Sequence, residues 1–309
     1  TDGVKKVVKG AMDDATGSHI KIEALLDYLD GGDAKGIFWE SIFKPMADAD
    51  EAEQKIMADF AEKFNEILKT YTRKELKNLK KGIYRDEIGT KLSHNQILGI
   101  ALNWGNEGNR IALLNAEAYQ GWNWTADSIQ ALLDNHLTEK DAEAVQAIWD
   151  MIDGLWPEIS KLEREMTGTV PEKIQPIPLT IAGVSLKGGY YPLKYDPAHS
   201  ARQAALNEKK GAEALIAGQF ASTATKKGHT KERIGSGGGA PVLEMDSVLA
   251  GHVRDVIHDL THRRAIIDVM RIIQDKKFRK LLENTAGSKF HKELRTWLRD
   301  IAKPDYSAA

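Results

Sequence analysis

A chain of 309 residues, 42% hydrophobic and 28% charged, is too apolar for wholesale disorder and long enough to bury a substantial core, in two packed units rather than one. It contains no cysteine, which excludes a disulfide framework and any thiolate metal site and fits a reducing compartment. The net charge of -2 conceals an asymmetry: residues 1 to 170 carry 20 Lys and Arg against 30 Asp and Glu, whereas residues 171 to 309 carry 23 against 15. Such polarity serves either a contact between halves or copies, the favoured reading, or a basic surface for an anionic partner such as nucleic acid.

The start, Thr1-Asp2-Gly3, has neither an initiator methionine nor the basic-then-apolar layout of a secretory signal, so the sequence reads as a segment of something longer. No run approaches the roughly 20 apolar residues that a transmembrane helix needs. A helical pattern at Ile20 to Leu29 gives way to the turn Asp30-Gly31-Gly32-Asp33 and an apolar patch of Ile37, Phe38, Trp39 and Phe43, which Pro45 is expected to close. From Asp50 to Lys80, the residues Ile56, Phe60, Phe64, Ile67, Leu68 and Tyr71 recur at three- and four-residue intervals and predict one long amphipathic helix.

Ser93 and Thr125 are candidate N-caps, and Thr138 opens Thr-Glu-Lys-Asp, an acidic analogue of the capping box. Val145, Ile148, Trp149, Ile152 and Trp156 then form a stripe expected to be buried, Pro157 should split the helix, and Gly168 should stop it. An all-helical acidic unit, residues 1–168, results. Residues 169–197 are rich in proline and glycine around short Ile, Val and Tyr runs, a linker with a small β-hairpin near 179–195. Residues 198–309 form a basic helical unit. Its helical pattern runs from His199 to Ile216, a Gly- and Lys-rich loop expected to be mobile covers 223–241, and further helices are capped by Asp246 and Ser288. The predicted fold class is therefore mainly α: a multi-helix assembly in two units with one small hairpin.

His258 and His262 are four apart on one predicted helix, with Asp255 on the same face and Val253, Val256 and Leu260 nearly opposite. A zincin would read His-Glu-x-x-His with the glutamate as general base, but this chain has the shorter Asp259, so a helix-packing polar network is favoured over a metal site at His258, His262 and Asp255. No cofactor is expected, a divalent metal ion at that face being the alternative. Lys226, Lys227, Lys231 and Arg233 are the candidate phosphate contacts, with Lys276, Lys277, Arg279 and Lys280 behind them, although a solvated loop is the favoured reading of the first set. Trp122 and Trp124 flank Asn123 and would face opposite sides of an extended segment.

Several segments together carry a resemblance: Leu98 with Asn103-Trp104-Gly105-Asn106, Asn109-Arg110, Trp122-Asn123-Trp124, and Trp149 through Pro157. Gly188-Gly189-Tyr190-Tyr191-Pro192, Gly228-His229-Thr230-Lys231 and Val256 through His262 complete the pattern. Across most of residues 27 to 302 the chain resembles a conserved region of very large phage and prophage proteins, polyvalent or internal virion (DNA-ejection) proteins. The resemblance implies a non-catalytic structural or interaction segment, found in the virion interior or, after delivery, in the host bacterial cytoplasm. Its implied partners are other modules of the parent protein, copies of itself and phage DNA. A metal-dependent hydrolase centred on His258 and His262, or a host-directed antirestriction factor, is the alternative.

Overall fold

The computed structural model describes residues 19–32, 36–116, 123–194 and 241–302. In chain order the elements are α1 (His19–Leu29), a π-helical turn (Trp39–Phe43), α2 (Lys44–Lys69), α3 (Arg73–Asn78), β1 (Ile83–Arg85), β2 (Thr90–Leu92), α4 (His94–Asn103), α5 (Glu107–Leu114), α6 (Ala126–His136), α7 (Glu139–Asp153), α8 (Trp156–Thr167), β3 (Leu179–Ile181), β4 (Val184–Leu186), α9 (Met245–Gln274), α10 (Lys276–Ala286) and α11 (Ser288–Ile301). The fold is mainly helical with two antiparallel two-stranded hairpins, and no helix among the described residues is long and apolar enough to cross a membrane. Contacts group the described residues into two compact units: one holds those up to Ile56 and from Ile257 onward, the other those from Met57 to Val256. This grouping is discontinuous in sequence and differs from the serial halves read from composition, because α2 and α9 each supply residues to both units.

In the second unit the helix starts follow local chemistry. Thr72, Ser93, Thr125 and Thr138 each accept a hydrogen bond from a backbone N–H three residues on, and Glu75, Gln96, Ser128 and Asp141 reciprocate. α4 buries every residue from Ile97 to Asn103, as a helix at the centre of a core must, and packs against α5, α6 and α7. Pro157 sits in the first turn of α8, where its missing N–H costs nothing, and Gly168 ends that helix at φ 78°. The expected hairpin is β3–β4, with Leu179 opposite Leu186, and its Ala182-Gly183 turn takes positive φ at both residues, the hairpin form that matches strand twist.

Six expectations need correction. The long helix stops at Lys69, because Thr72 restarts α3 with its own capping box and Tyr71 turns inward. A second hairpin, β1–β2, lies inside the stretch read as all-helical; three-residue strands are too short to show a period. Pro45 does not end its segment but stands inside α2, just past the point where the Lys44 N–H reaches back to Trp39 O; that five-residue step shifts the ladder and accommodates a missing donor. Trp156 is only half-buried, with the Lys173 ammonium 5.8 Å from its ring centre. Neither Ser288 nor Asp246 caps its helix: Ser288 begins α11, whose cap position belongs to Gly287 at φ 93°, and Asp246 follows Met245 inside the first turn of α9.

In the first unit, both carboxylate oxygens of Asp30 accept backbone N–H groups, from Phe38 at 3.1 Å and Trp39 at 2.7 Å, so the predicted turn folds back to cap the helix ahead of it. Asp275 likewise caps α10 through the N–H groups of Lys277 and Phe278. α10 and α11 pack together, with Phe290, Leu294, Trp297, Leu298 and Ile301 of α11 turned inward.

Candidate metal centre and packing hub

Two histidines one turn apart on α9 present stacked rings, with centres 4.2 Å apart and planes 19° from parallel. His258 and His262 are 6% and 1% exposed, so this polar face of α9 is buried, as the helix-packing network read from the sequence requires. Opposite them α2 supplies Asp50 and Glu53, themselves one turn apart. Glu53 Oε2 lies 2.9 Å from His258 Nδ1 and 3.3 Å from His262 Nδ1. The far nitrogens are also engaged: His258 Nε2 stands 2.8 Å from the carbonyl of Ile301, at the end of α11, and His262 Nε2 stands 2.9 Å from Asp50 Oδ1.

A carbonyl oxygen only accepts, so His258 Nε2 carries the proton and donates it; an ionised Asp50 imposes the same on His262 Nε2. A ring protonated at Nε2 alone keeps its Nδ1 lone pair free to ligate a metal on the Glu53 side, whereas a second proton at Nδ1 is donated to the Glu53 carboxylate. The Thr261 hydroxyl, 2.9 Å from His262 Nδ1, is within bonding distance of the Ile257 carbonyl at 3.0 Å. Two histidine nitrogens and a carboxylate oxygen facing one another constitute a donor set fit for a divalent ion.

Among the described residues, Glu53, His258 and His262 are the group so arranged; Asp255, singled out in the sequence, is not a member. Asp259, at the position where a zincin holds its general base, lies 3.9 Å from Arg263 instead. Glu53 was invisible to local reading because 205 positions separate it from His258.

In the second unit four of the segments that carry the sequence resemblance converge, those around Asn103 to Asn106, Asn109, Trp149 and Gly188 to Tyr191. Gly105 O accepts from Ile177 N at 2.8 Å and Gly189 N at 3.1 Å, and Trp149 lies against both glycines, its Nε1 donating to Leu102 O at 3.1 Å. Asn109 Nδ2 donates to Asn103 Oδ1 at 2.9 Å and Tyr191 O at 2.8 Å, and the Tyr191 hydroxyl donates to Met245 O at 3.1 Å. Burial, and then the charge of Asp246, push the Tyr191 phenol well above its ordinary range.

A further buried centre forms where Asp141 receives the Tyr71 hydroxyl and His94 Nε2, both at 2.9 Å, and the Thr138 N–H and hydroxyl at 2.8 and 2.7 Å. Burial alone would raise the Asp141 pKa, but the hydrogen bonds from His94 and Thr138 outweigh it and hold the carboxyl at about 2. Tyr71 is driven upward by its own burial and by the adjoining carboxylate.

Of the sequence-predicted cations, Lys226, Lys227, Lys231 and Arg233 lie outside the described residues, as do Trp122, the helical pattern of 199–216 and nearly all of the 223–241 loop. Lys276, Lys277, Arg279 and Lys280 are exposed on α10, with Arg279 2.8 Å from Glu283; Lys292, Arg295 and Arg299 are exposed on the outer face of α11. Trp124 is buried. Comparison of the chain with protein-family models, curated proteins and solved structures finds no match.

Proposed function

We propose that this chain is a non-catalytic structural and interaction segment of a large phage virion-associated protein, packing against other modules of its parent or against copies of itself. One observation supports the reading above the rest: Asn103, Gly105, Asn109, Trp149, Gly189 and Tyr191, which carry the resemblance, are spent on packing and internal hydrogen bonds. Residues used that way preserve a shape, which is what an assembly segment requires. The phage context comes from the sequence resemblance, and mass spectrometry of purified particles tests it. Peptides of this segment should be recovered from particles at a fixed ratio to a structural protein. Their absence overturns the virion reading, and hydrolysis abolished by folded His258 and His262 variants overturns the non-catalytic one.

A second reading, weak contact with phage DNA, is favoured by the exposed cations of α10 and α11, which outnumber Glu283, Glu293 and Asp300, the acids of the same two helices. Such contact is sequence-independent and salt-dependent: four neutralised phosphates give a log-log salt slope of about -3.6 on duplex DNA. Replacing Lys276 or Lys280 with Gln should reduce the slope by about one unit. Binding that ignores salt refutes this reading.

A further inference from the structure

We infer that Glu53, His258 and His262 form a binding site for one divalent transition-metal ion of the Zn2+ type, held through both histidine Nδ1 atoms and a carboxylate oxygen of Glu53. One ligand atom from each residue lies within 4.8 Å of the other two, and Glu53 Oε2 stands 2.9 and 3.3 Å from the two Nδ1 atoms. Zinc bonds of roughly 2.0–2.2 Å at tetrahedral angles set neighbouring ligand atoms about 3.3 Å apart, so the two Glu53 distances already approach that spacing and the two histidine nitrogens, within 4.8 Å, close toward it on coordination.

The far ring nitrogens supply independent support. A ligating histidine typically donates its other N–H to a backbone carbonyl or a carboxylate, which sets its tautomer and ring angle. His258 does so to Ile301 O at 2.8 Å and His262 to Asp50 Oδ1 at 2.9 Å, leaving the Nδ1 atom of each ring on the Glu53 side as the one to ligate. A cation bound here takes the place of any Nδ1 proton between the two rings and the carboxylate. Two imidazoles and one carboxylate suit Zn2+, Co2+ or Ni2+, and not the all-oxygen shells of Mg2+ and Ca2+. Glu53, with its side chain 20% exposed, is the most open of the three ligands, and a solvent ligand completing the shell enters on its side. The ion ties α2 to α9 within the first unit. This inference goes beyond the assembly reading and does not depend on the phage context.

The test uses the full chain, stripped by exhaustive chelation and titrated with Zn2+ by calorimetry and with Co2+ by visible absorption. The metal-free chain should keep its helical circular dichroism, bind one equivalent, show ligand-field bands with Co2+ and melt higher as free Zn2+ rises. Glu53→Gln and His258→Asn should weaken Zn2+ binding by more than about 100-fold, beyond the range expected for loss of an outer partner. Asp50→Asn, at a half-exposed position that touches His262 but not the ion, should weaken it by about 10- to 100-fold while the helical signal stays intact. If the folded chain takes up no Zn2+, or Glu53→Gln or Asp50→Asn binds it undiminished, the site is refuted. Refusal of metal by a normally melting chain removes the ion and leaves the assembly reading to the particle experiment.

Discussion

Replacing Asp141 with Asn tests how far one buried carboxylate holds the second unit together. Its two oxygens serve four donors: the Tyr71 hydroxyl and His94 Nε2 on one, the Thr138 N–H and hydroxyl on the other. An amide offers a single oxygen, so its NH2 must face one of those pairs and leave two donors without their acceptor. The carboxyl lies at about 2 when folded against an ordinary 3.8, a difference equivalent to about 2 kcal/mol of stability. Unsatisfied donors add to this at about 1–3 kcal/mol each, part of which relaxation and water recover, so a total of about 3–4 kcal/mol is expected near pH 7.

The acid dependence follows from the sign of the shift. A depressed carboxyl stabilises the fold fully above its ordinary value, and that contribution is lost as pH falls from there through the folded value of about 2. Urea unfolding of both proteins at neutral pH and across that acid window reads both effects. The variant's midpoint should fall without a change in slope, and its stability should lose the part of the acid dependence that Asp141 contributes. A neutral-pH difference below about 0.5 kcal/mol, or an unchanged acid limb, would refute the reasoning.

Two further substitutions probe packing and capping. A β-carbon at Gly189 would lie 2.4 Å from Trp149 Cγ and 2.5 Å from its Cβ, while the Gly189 N–H is tied to Gly105 O, so Gly189→Ala should cost about 2–3 kcal/mol in thermal unfolding. An unchanged melt would show that the Trp149 ring yields freely. Ser93→Ala removes the side-chain acceptor for Gln96 N and should cost about 1 kcal/mol, read as a shift in denaturant midpoint; no shift would mean that the β2–α4 junction is held by its other contacts.

Helix starts and stops were legible in the sequence because their causes are local. Ser93, Thr125 and Thr138 reach an N–H three residues away, Pro157 needs only the first turn of its own helix, and Gly168 needs only its own positive φ. The β3–β4 hairpin was legible for the same reason, its turn being the two residues Ala182 and Gly183. The end of α2 was misplaced because the apolar spacing continues to Tyr71, whereas that side chain is drawn instead to Asp141, 70 positions on.

At the candidate metal centre, periodicity placed His258 and His262 on one face of a helix, and composition excluded thiolate ligands. Neither could supply Glu53, 205 positions away, or favour it over Asp255, which shares the histidines' own helix. Nor could they show that Asn109 would meet the carbonyl of Tyr191, 82 positions distant. Such pairings depend on which helix faces compete for the same buried space, and only the folded chain resolves that competition.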